Sequence, residues 1–349
     1  MRPFLRLLLF CLSLLCLPVM AAPVSGLYQV REPVADQEPA SRDEAMQRAL
    51  QTLVQRLTGD AKAVNNPGLD GLRKDPQQIV SQFGYEGDAL MVDFDPASTE
   101  RLLRGAGLPL WGANRPAILT WWLNETSDGS QLVGESQAEA APLRDAAQHR
   151  GLPLRLPMAD LSEQLVATPE GLAANDPQAL RDASERYGAD ALLAVRATQR
   201  DDKWQAQWRL WIGEEREQGS VEAADQAALA DAVMLAVNER LAPRFVIKPG
   251  AAQSLTLVLD GADLNRFAAV ERLLEPFAPR LVAVNGKQLT YQVSASADQL
   301  RAQLALGQLQ EEAAPQIAPT PAPAAAGQAP GAPVSTPVQP SNNALHFRW

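Results

Sequence analysis

Ala191-Leu192-Leu193-Ala194-Val195-Arg196-Ala197, the turn Asp201-Asp202-Lys203, and Trp204-Gln205-Ala206-Gln207-Trp208-Arg209-Leu210-Trp211-Ile212 decide the fold class. The first run is almost continuously apolar, as a strand buried on both faces must be. In the second, Trp204, Ala206, Trp208, Leu210 and Ile212 share one face, while Gln205, Gln207 and Arg209 share the other. That alternation marks an antiparallel strand with one wet side. The pair therefore closes a sheet with a hairpin. Working back along the chain, Pro177 and Gly188 bracket a helix over Asp176–Tyr187, with proline and glycine at their favoured helix ends. Gly151 ends another helix over Glu135–Arg150, and Ala117–Leu123 is a strand of bulky apolar side chains. Strands separated by helices imply an α/β sheet, and residues 111–248 are expected to form this central domain.

The flanking segments carry their own signals. In residues 23–110, Leu27–Val34 is a strand candidate. Ser41 and Glu44 form a capping box, followed by the helical stripe Ala45, Ala49, Leu50, Leu53, Val54, Leu57 and the stop at Gly59. A short helix (Pro76–Phe83), a strand (Ala89–Asp95) and a helix (Pro96–Gly105) complete an α+β unit. In residues 252–308, alternating Leu255, Leu257 and Leu259 precede an amphipathic helix. Leu281–Val284 and Leu289–Val293 then flank Asn285-Gly286, a hairpin signal. The order β-α-β-β-α is one strand short of a ferredoxin-like sandwich. Residues 309–343 become rich in proline and alanine, and no charged residue occurs after Glu312 before Arg348; this composition predicts a disordered linker. The terminal residues 344–349 alternate Leu345, Phe347 and Trp349 against His346 and Arg348, and are expected to return as a strand to the third sheet. The alternative is a tethered tail that binds a partner by strand addition.

Residues 1–22 have the layout of a secretory signal peptide: Arg2 and Arg6, an apolar run Leu7–Leu17, and the small-residue end Val19-Met20-Ala21. Leu15 is too large for the position before a lipidated Cys16. Cleavage would remove both cysteines, Cys11 and Cys16, and place the mature protein in the periplasm. The net charge of −10 would move to −12 with the loss of Arg2 and Arg6. An acidic chain without a basic, aromatic-rich patch argues against nucleic acid as a partner, and no later apolar run is long enough to span a bilayer.

Chemistry-bearing patterns are sparse. His149 and His346 are the two histidines, and His149 lies at a helix end beside Arg150, where easing the helix dipole is its ordinary role. A Ser-His-Asp arrangement would have to use it. No zinc spacing, phosphate loop, dinucleotide fingerprint or G-x-S-x-G elbow occurs, so no cofactor, metal site or catalytic residue is assigned. Asp93 and Asp95 lie two apart on a strand and could face one way, but a solvated strand face is the simpler reading. Asp160 or Glu163 could act with Asp190 only if the fold brought them together. The tryptophans say more. Of seven, Trp111, Trp121, Trp122, Trp204, Trp208 and Trp211 fall in the central segment. Trp121 and Trp122 must point to opposite faces, as must Trp208 and Trp211. Trp122, Trp211, Phe347 and Trp349 are therefore the candidate interaction surface, unless helices cover both faces and every ring is core.

Four motifs together resemble a known family: Leu108-Pro109-Leu110-Trp111-Gly112, Arg115-Pro116 with Trp121 after it, Arg150-Gly151-Leu152-Pro153-Leu154, and Ala183-Ser184-Glu185-Arg186-Tyr187-Gly188-Ala189-Asp190. The family is an exported proteobacterial one, catalogued only as a domain of unknown function (family 2066). The resemblance covers Leu27 to Phe245. It implies an envelope location and carries over no activity and no site residue. The central segment also looks like the anticodon-binding-like α/β domain of periplasmic accessory proteins, a likeness of fold alone. The expectation is a non-enzymatic periplasmic interaction or scaffold protein whose partners are envelope proteins. The alternatives are a carboxylate-dependent envelope hydrolase acting on glycan or peptide, and a small-ligand-binding protein.

Overall fold

Pro39 starts the first long helix two residues before the expected capping box. Proline suits the first helical turn because its missing N–H would have had no partner there. The helix α1 (Pro39–Thr58) ends at Gly59 in the left-handed conformation, φ 70°. In the computed structural model, which describes residues 24, 26–247, 253–277, 279–312 and 344–349, α1 packs against a three-stranded antiparallel sheet. That sheet has the order β1-β3-β2, from β1 (Gln29–Pro33), β2 (Val80–Glu86) and β3 (Ala89–Phe94). The stripe Ala49, Leu50, Leu53 and Leu57 is buried against Val30, Leu90 and Val92, each large side chain contributing about 1.5–3 kcal/mol. The expected helix over Pro76–Phe83 is instead one 3-10 turn, Pro76–Ile79, running into β2. A short helix α2 (Asp70–Lys74) precedes it, and α3 (Pro96–Gly105), capped by Asp95, follows β3. The expected leader and residues 313–343 of the expected linker lie outside the described residues; the first residues of that linker, expected to be disordered, instead form a strand over Gln310–Glu312.

Backbone contacts divide the chain into two compact units, residues 1–249 and 250–349. The first unit holds a second sheet of order β5-β4-β7-β8-β9, with β6 also paired to β4. Its strands are β4 (Ile118–Thr126), β5 (Gly129–Val133), β6 (Leu154–Arg155), β7 (Ala191–Arg200), β8 (Lys203–Ile212) and β9 (Glu215–Ala223). Strand β4 runs parallel to β7 and β6, and β7-β8-β9 is an antiparallel meander. Helices α4 (Ala140–Arg150) and α8 (Gln226–Phe245) pack together, and α8 packs on β8 and β9. Three short helices, α5 (Leu161–Val166), α6 (Pro169–Ala173) and α7 (Gln178–Ser184), bring Leu172 and Leu180 into the cluster around Trp121 and Trp211.

The two sheets of this unit are joined by polar side chains. Arg56 of α1, 1 % exposed, donates to the carbonyls of Leu27 and Gln29 at 2.9 and 2.8 Å and to that of His149 at 3.0 and 3.1 Å. Arg115, equally buried, donates to the carbonyls of Arg56 (2.7 Å), Gly151 (2.9 Å), Trp111 and Gly112 (both 3.1 Å). Its guanidinium lies 4.3 Å from the Trp111 ring centroid, and Trp111 stacks on Phe245 at 5.5 Å. Burial and the neighbouring Arg56 push Arg115 down to about 9, so it is still charged at neutral pH. A Cβ on Gly59 would sit 1.9 Å from Ala242 Cβ of α8; only glycine lets α1 approach α8 this closely.

The second unit is a five-stranded sheet of order β11-β12-β10-β14-β13, formed by β10 (Gln253–Asp260), β11 (Arg280–Asn285), β12 (Gln288–Ala295), β13 (Gln310–Glu312) and β14 (Ala344–Arg348). Helices α9 (Leu264–Leu274) and α10 (Ala297–Leu306) supply Val270, Leu274, Leu300 and Leu304 to a core that includes Leu257, Leu259, Tyr291 and Val293. The chain's last strand lies parallel to β10, with Leu345 beside Leu257 and Phe347 beside Leu259, and antiparallel to β13. The hairpin turn is Gly286-Lys287, between the paired Asn285 and Gln288, and Gly286 takes φ 63° there. The whole is a mixed α/β architecture.

Candidate functional site

The tryptophan reading needs a correction. Trp122 and Trp211, candidates for an exposed surface, are 3 % and 4 % exposed. Helices cover both faces of the second sheet, so opposite-facing rings are all core. Trp211 joins Trp121 under α6 and α7; Trp121 donates to Ser184 Oγ at 3.0 Å, and Trp122 donates to Asn124 Oδ1 at 2.9 Å. Phe347 is buried as well, and Trp349 is half-buried with the Arg266 guanidinium 5.4 Å from its ring centroid.

The carboxylates also fall into place. Asp93 accepts from Gln29 and Gln82, both at 2.7 Å, and Asp95 caps α3 by accepting from the Ser98 amide at 2.8 Å. Asp190 accepts from the Ala117 amide, and burial pushes its carboxyl up. Asp160 and Glu163 form the capping box of α5 and both receive Arg186, while the Tyr187 hydroxyl donates to Glu163. Ser162 and Arg186 hold the Asp160 carboxyl well below the usual range. No contact joins Asp190 to this pair. Among the described residues, no group of three or more His, Cys, Asp or Glu side chains is placed to hold a metal ion.

The structure does converge charge around His149. From α4, its Nδ1 lies 3.0 Å from Asp231 Oδ1 of α8, and its Nε2 lies 3.3 Å from Glu32 Oε1 of β1 and 3.2 Å from Thr52 Oγ1 of α1. Arg150 pairs with Asp231 through two nitrogens, and Arg48 approaches Glu32 at 3.7 Å. Four elements meet at one imidazole. Burial pulls the His149 pKa down, but hydrogen bonds to the Asp231 and Glu32 carboxylates outweigh it and the value is raised. Burial likewise opposes ionisation of Asp231, yet His149 and Arg150 bring it down to about 2. With a carboxylate at each ring nitrogen, an imidazolium donates on both sides. The order Asp231–His149–Thr52 has the outline of a nucleophile relay, but the Thr52 hydroxyl donates to Glu32 at 2.7 Å and the residue is buried. The arrangement suits a clamp better than proton abstraction. Sequence reasoning placed His149 at a helix end and could not bring Glu32, Thr52 and Asp231 to it, since nothing local encodes a contact across 117 positions.

A second feature went unread. Met158, Leu161 and Leu165 are 66 %, 74 % and 73 % exposed. Leu161 and Leu165 stand one above the other on α5 at i, i+4. The helix beneath them is fixed: Glu163 is buried under its capping box, and the Met158 amide donates to the Tyr187 hydroxyl at 2.9 Å. The only signal in the sequence was the four-residue spacing of the two leucines.

With this geometry in view, one family model matches the segment that holds the first sheet. Residues 21–112 match the model described as Domain of unknown function (DUF8605). Its description assigns no activity, in keeping with the expected kind of family. The match spans the first sheet with α1–α3 and stops at Gly112, whereas the resemblance drawn from sequence motifs extended to Phe245. No curated protein matches the chain. Among solved structures, the LpoB C-terminal domain from Salmonella enterica is similar at 16 % identity, with a TM-score of 0.21, over 32 % of this chain and 83 % of that one. Among the described residues no helix is long and apolar enough to cross a membrane.

Proposed function

We propose that this chain is an exported proteobacterial envelope protein that acts by binding other envelope proteins rather than by catalysis. The observation that carries this reading is the exposure of Met158, Leu161 and Leu165, the two leucines held out in water on a capped, ion-paired helix and Met158 just before its cap. Leaving such side chains exposed forgoes about 1.5–3 kcal/mol each relative to burial, and a preformed apolar ridge recovers that only against a partner. In the same reading the leader over residues 1–22 is cleaved and the mature chain resides in the periplasm. Residues 111–248 then form an anticodon-binding-like domain behind the N-terminal segment 23–110, and residues 252–308 a ferredoxin-like one completed by 344–349.

A photo-crosslinking residue placed at Leu161 or Leu165 in living cells tests it. The same envelope protein should be captured from both positions and not from exposed Lys74, and the mature amino terminus should lie near Ala22. Absence of any shared adduct, in a protein that cleaves a cell-wall fragment, would overturn the proposal.

A second reading, an envelope hydrolase, draws on the Asp231–His149–Thr52 order. It requires that Thr52→Ala abolish cleavage of a glycan or peptide substrate while leaving the fold intact. An unchanged rate would reduce the cluster to its clamping role.

A further inference from the structure

The two edges of the sheet in residues 250–349 are built differently. At one edge, β13 has three residues, Gln310, Glu311 and Glu312; Arg301 pairs with Glu311 at 2.8 Å and Arg348 with Glu312 at 3.3 Å. Short length and charge are how sheet edges are kept from pairing. At the other edge, β11 runs for six residues, pairs with β12 alone, and exposes Leu281 (39 %), Val282 (60 %) and Val284 (56 %). Its one charge is Arg280. A register shift between Leu281 and Ala283 leaves Leu281 opposite Tyr291 and Val284 opposite Leu289. Those two partners are buried, so Leu281 and Val284 share the core-side face of the sheet.

We propose that β11 pairs antiparallel with β11 of a second copy of this chain about a two-fold axis. An axis between Val282 and Ala283 sets Leu281 across from Val284 and Arg280 across from Asn285. Apolar side chains then meet apolar ones, and no like charges face each other. The charge balance favours the same occupant. Residues 250–349 carry six basic and seven acidic side chains, so this unit is near neutral while the chain as a whole is at −10, and a near-neutral surface sets little repulsion against self-association. The pairing is also closed. An isologous contact uses both open edges at once and leaves only the two charged β13 edges outward, so the joined sheet stops at two copies. This inference concerns a different unit from the ridge on α5 and does not depend on what that ridge binds.

Sedimentation of the purified full chain over a concentration series tests it, with amide hydrogen exchange of Leu281–Asn285 followed alongside. The expected result is a monomer–dimer equilibrium in which those amides gain protection as the dimer forms. The double variant Val282→Lys, Val284→Lys should weaken the dimer by about 100-fold or more while keeping the parent's thermal transition; Gln310→Lys on β13 should leave it unchanged. Should the double variant fail to fold, the exchange data on the unmodified chain still decide. A chain that stays monomeric throughout, a dimer whose β11 amides remain unprotected, or β11 protection that arises only with a different protein overturns the proposal.

Discussion

The seam inside residues 26–247 is polar, and the core of residues 253–312 with 344–349 is apolar; both bury their contacts equally well. At the seam, Arg56 and Arg115 reach carbonyls on both sides, Gln55 donates to Asn238 at 3.0 Å, and His149 gathers Glu32, Thr52 and Asp231. In the second unit, Phe347, Leu257, Leu259, Leu300 and Leu304 are all buried, with Tyr291 donating to Glu271 at 2.7 Å. Apolar contacts tolerate small shifts, because dispersion falls off gradually and cores repack. Buried donors and acceptors do not, since each unpaired group costs about 1–3 kcal/mol. The polar seam therefore fixes the two sheets of the first unit in a single arrangement, and the apolar core supplies stability with looser demands.

Mutations can break this contrast. Arg115→Met keeps the volume but strips four carbonyls of their donor; urea unfolding should show a loss of about 3–5 kcal/mol. A loss under about 1 kcal/mol would mean the seam is apolar after all. Phe347→Ala should cost about 3 kcal/mol or more through the cavity it leaves, and hydrogen exchange should locate the loss in β10 and β14 and not in α1. Gly59→Ala should cost about 2–4 kcal/mol, combining a left-handed backbone with the clash against Ala242. His149→Gln should cost about 1 kcal/mol and, more tellingly, change the pH response. The folded-state pKa of His149 is raised above 6.5, so its contribution is full below pH 6.5 and is lost as pH rises through the folded value. Burial and Arg150 oppose the raised value, and Asp231 and Glu32 outweigh them. In the variant, stability measured from pH 6.5 upward should lose that decline. Leu161→Ser should stay within about 0.5 kcal/mol of the parent yet lose the crosslinked partner.

The same contrast sets what could be read from sequence. The apolar pattern was legible wherever it repeated: the stripe ending at Gly59, the helix Pro96–Gly105, and the alternation of β8 and β10 all stand where the sequence pattern put them. Strand β9, with the sequence Glu-Arg-Glu-Gln-Gly-Ser-Val-Glu-Ala over 215–223, has no apolar face to announce it and forms because β8 offers it a ladder. Helices α5 and α6 are too short to show a period. The ion cluster was illegible for a different reason: Glu32, Thr52, His149 and Asp231 come from four elements, and only tertiary packing gives them a common centre. The exposed or buried fate of Trp122 and Trp211 likewise depended on whether helices cover both faces of a sheet, which strand alternation alone does not state.

Strand β14 sits inside its sheet, flanked by β10 and β13. Without β14, β10 would lack its parallel neighbour and β13 its antiparallel one. A chain cut after Glu312 would leave an open slot where Phe347 is buried and a bare β10 edge, a groove that proteases would find.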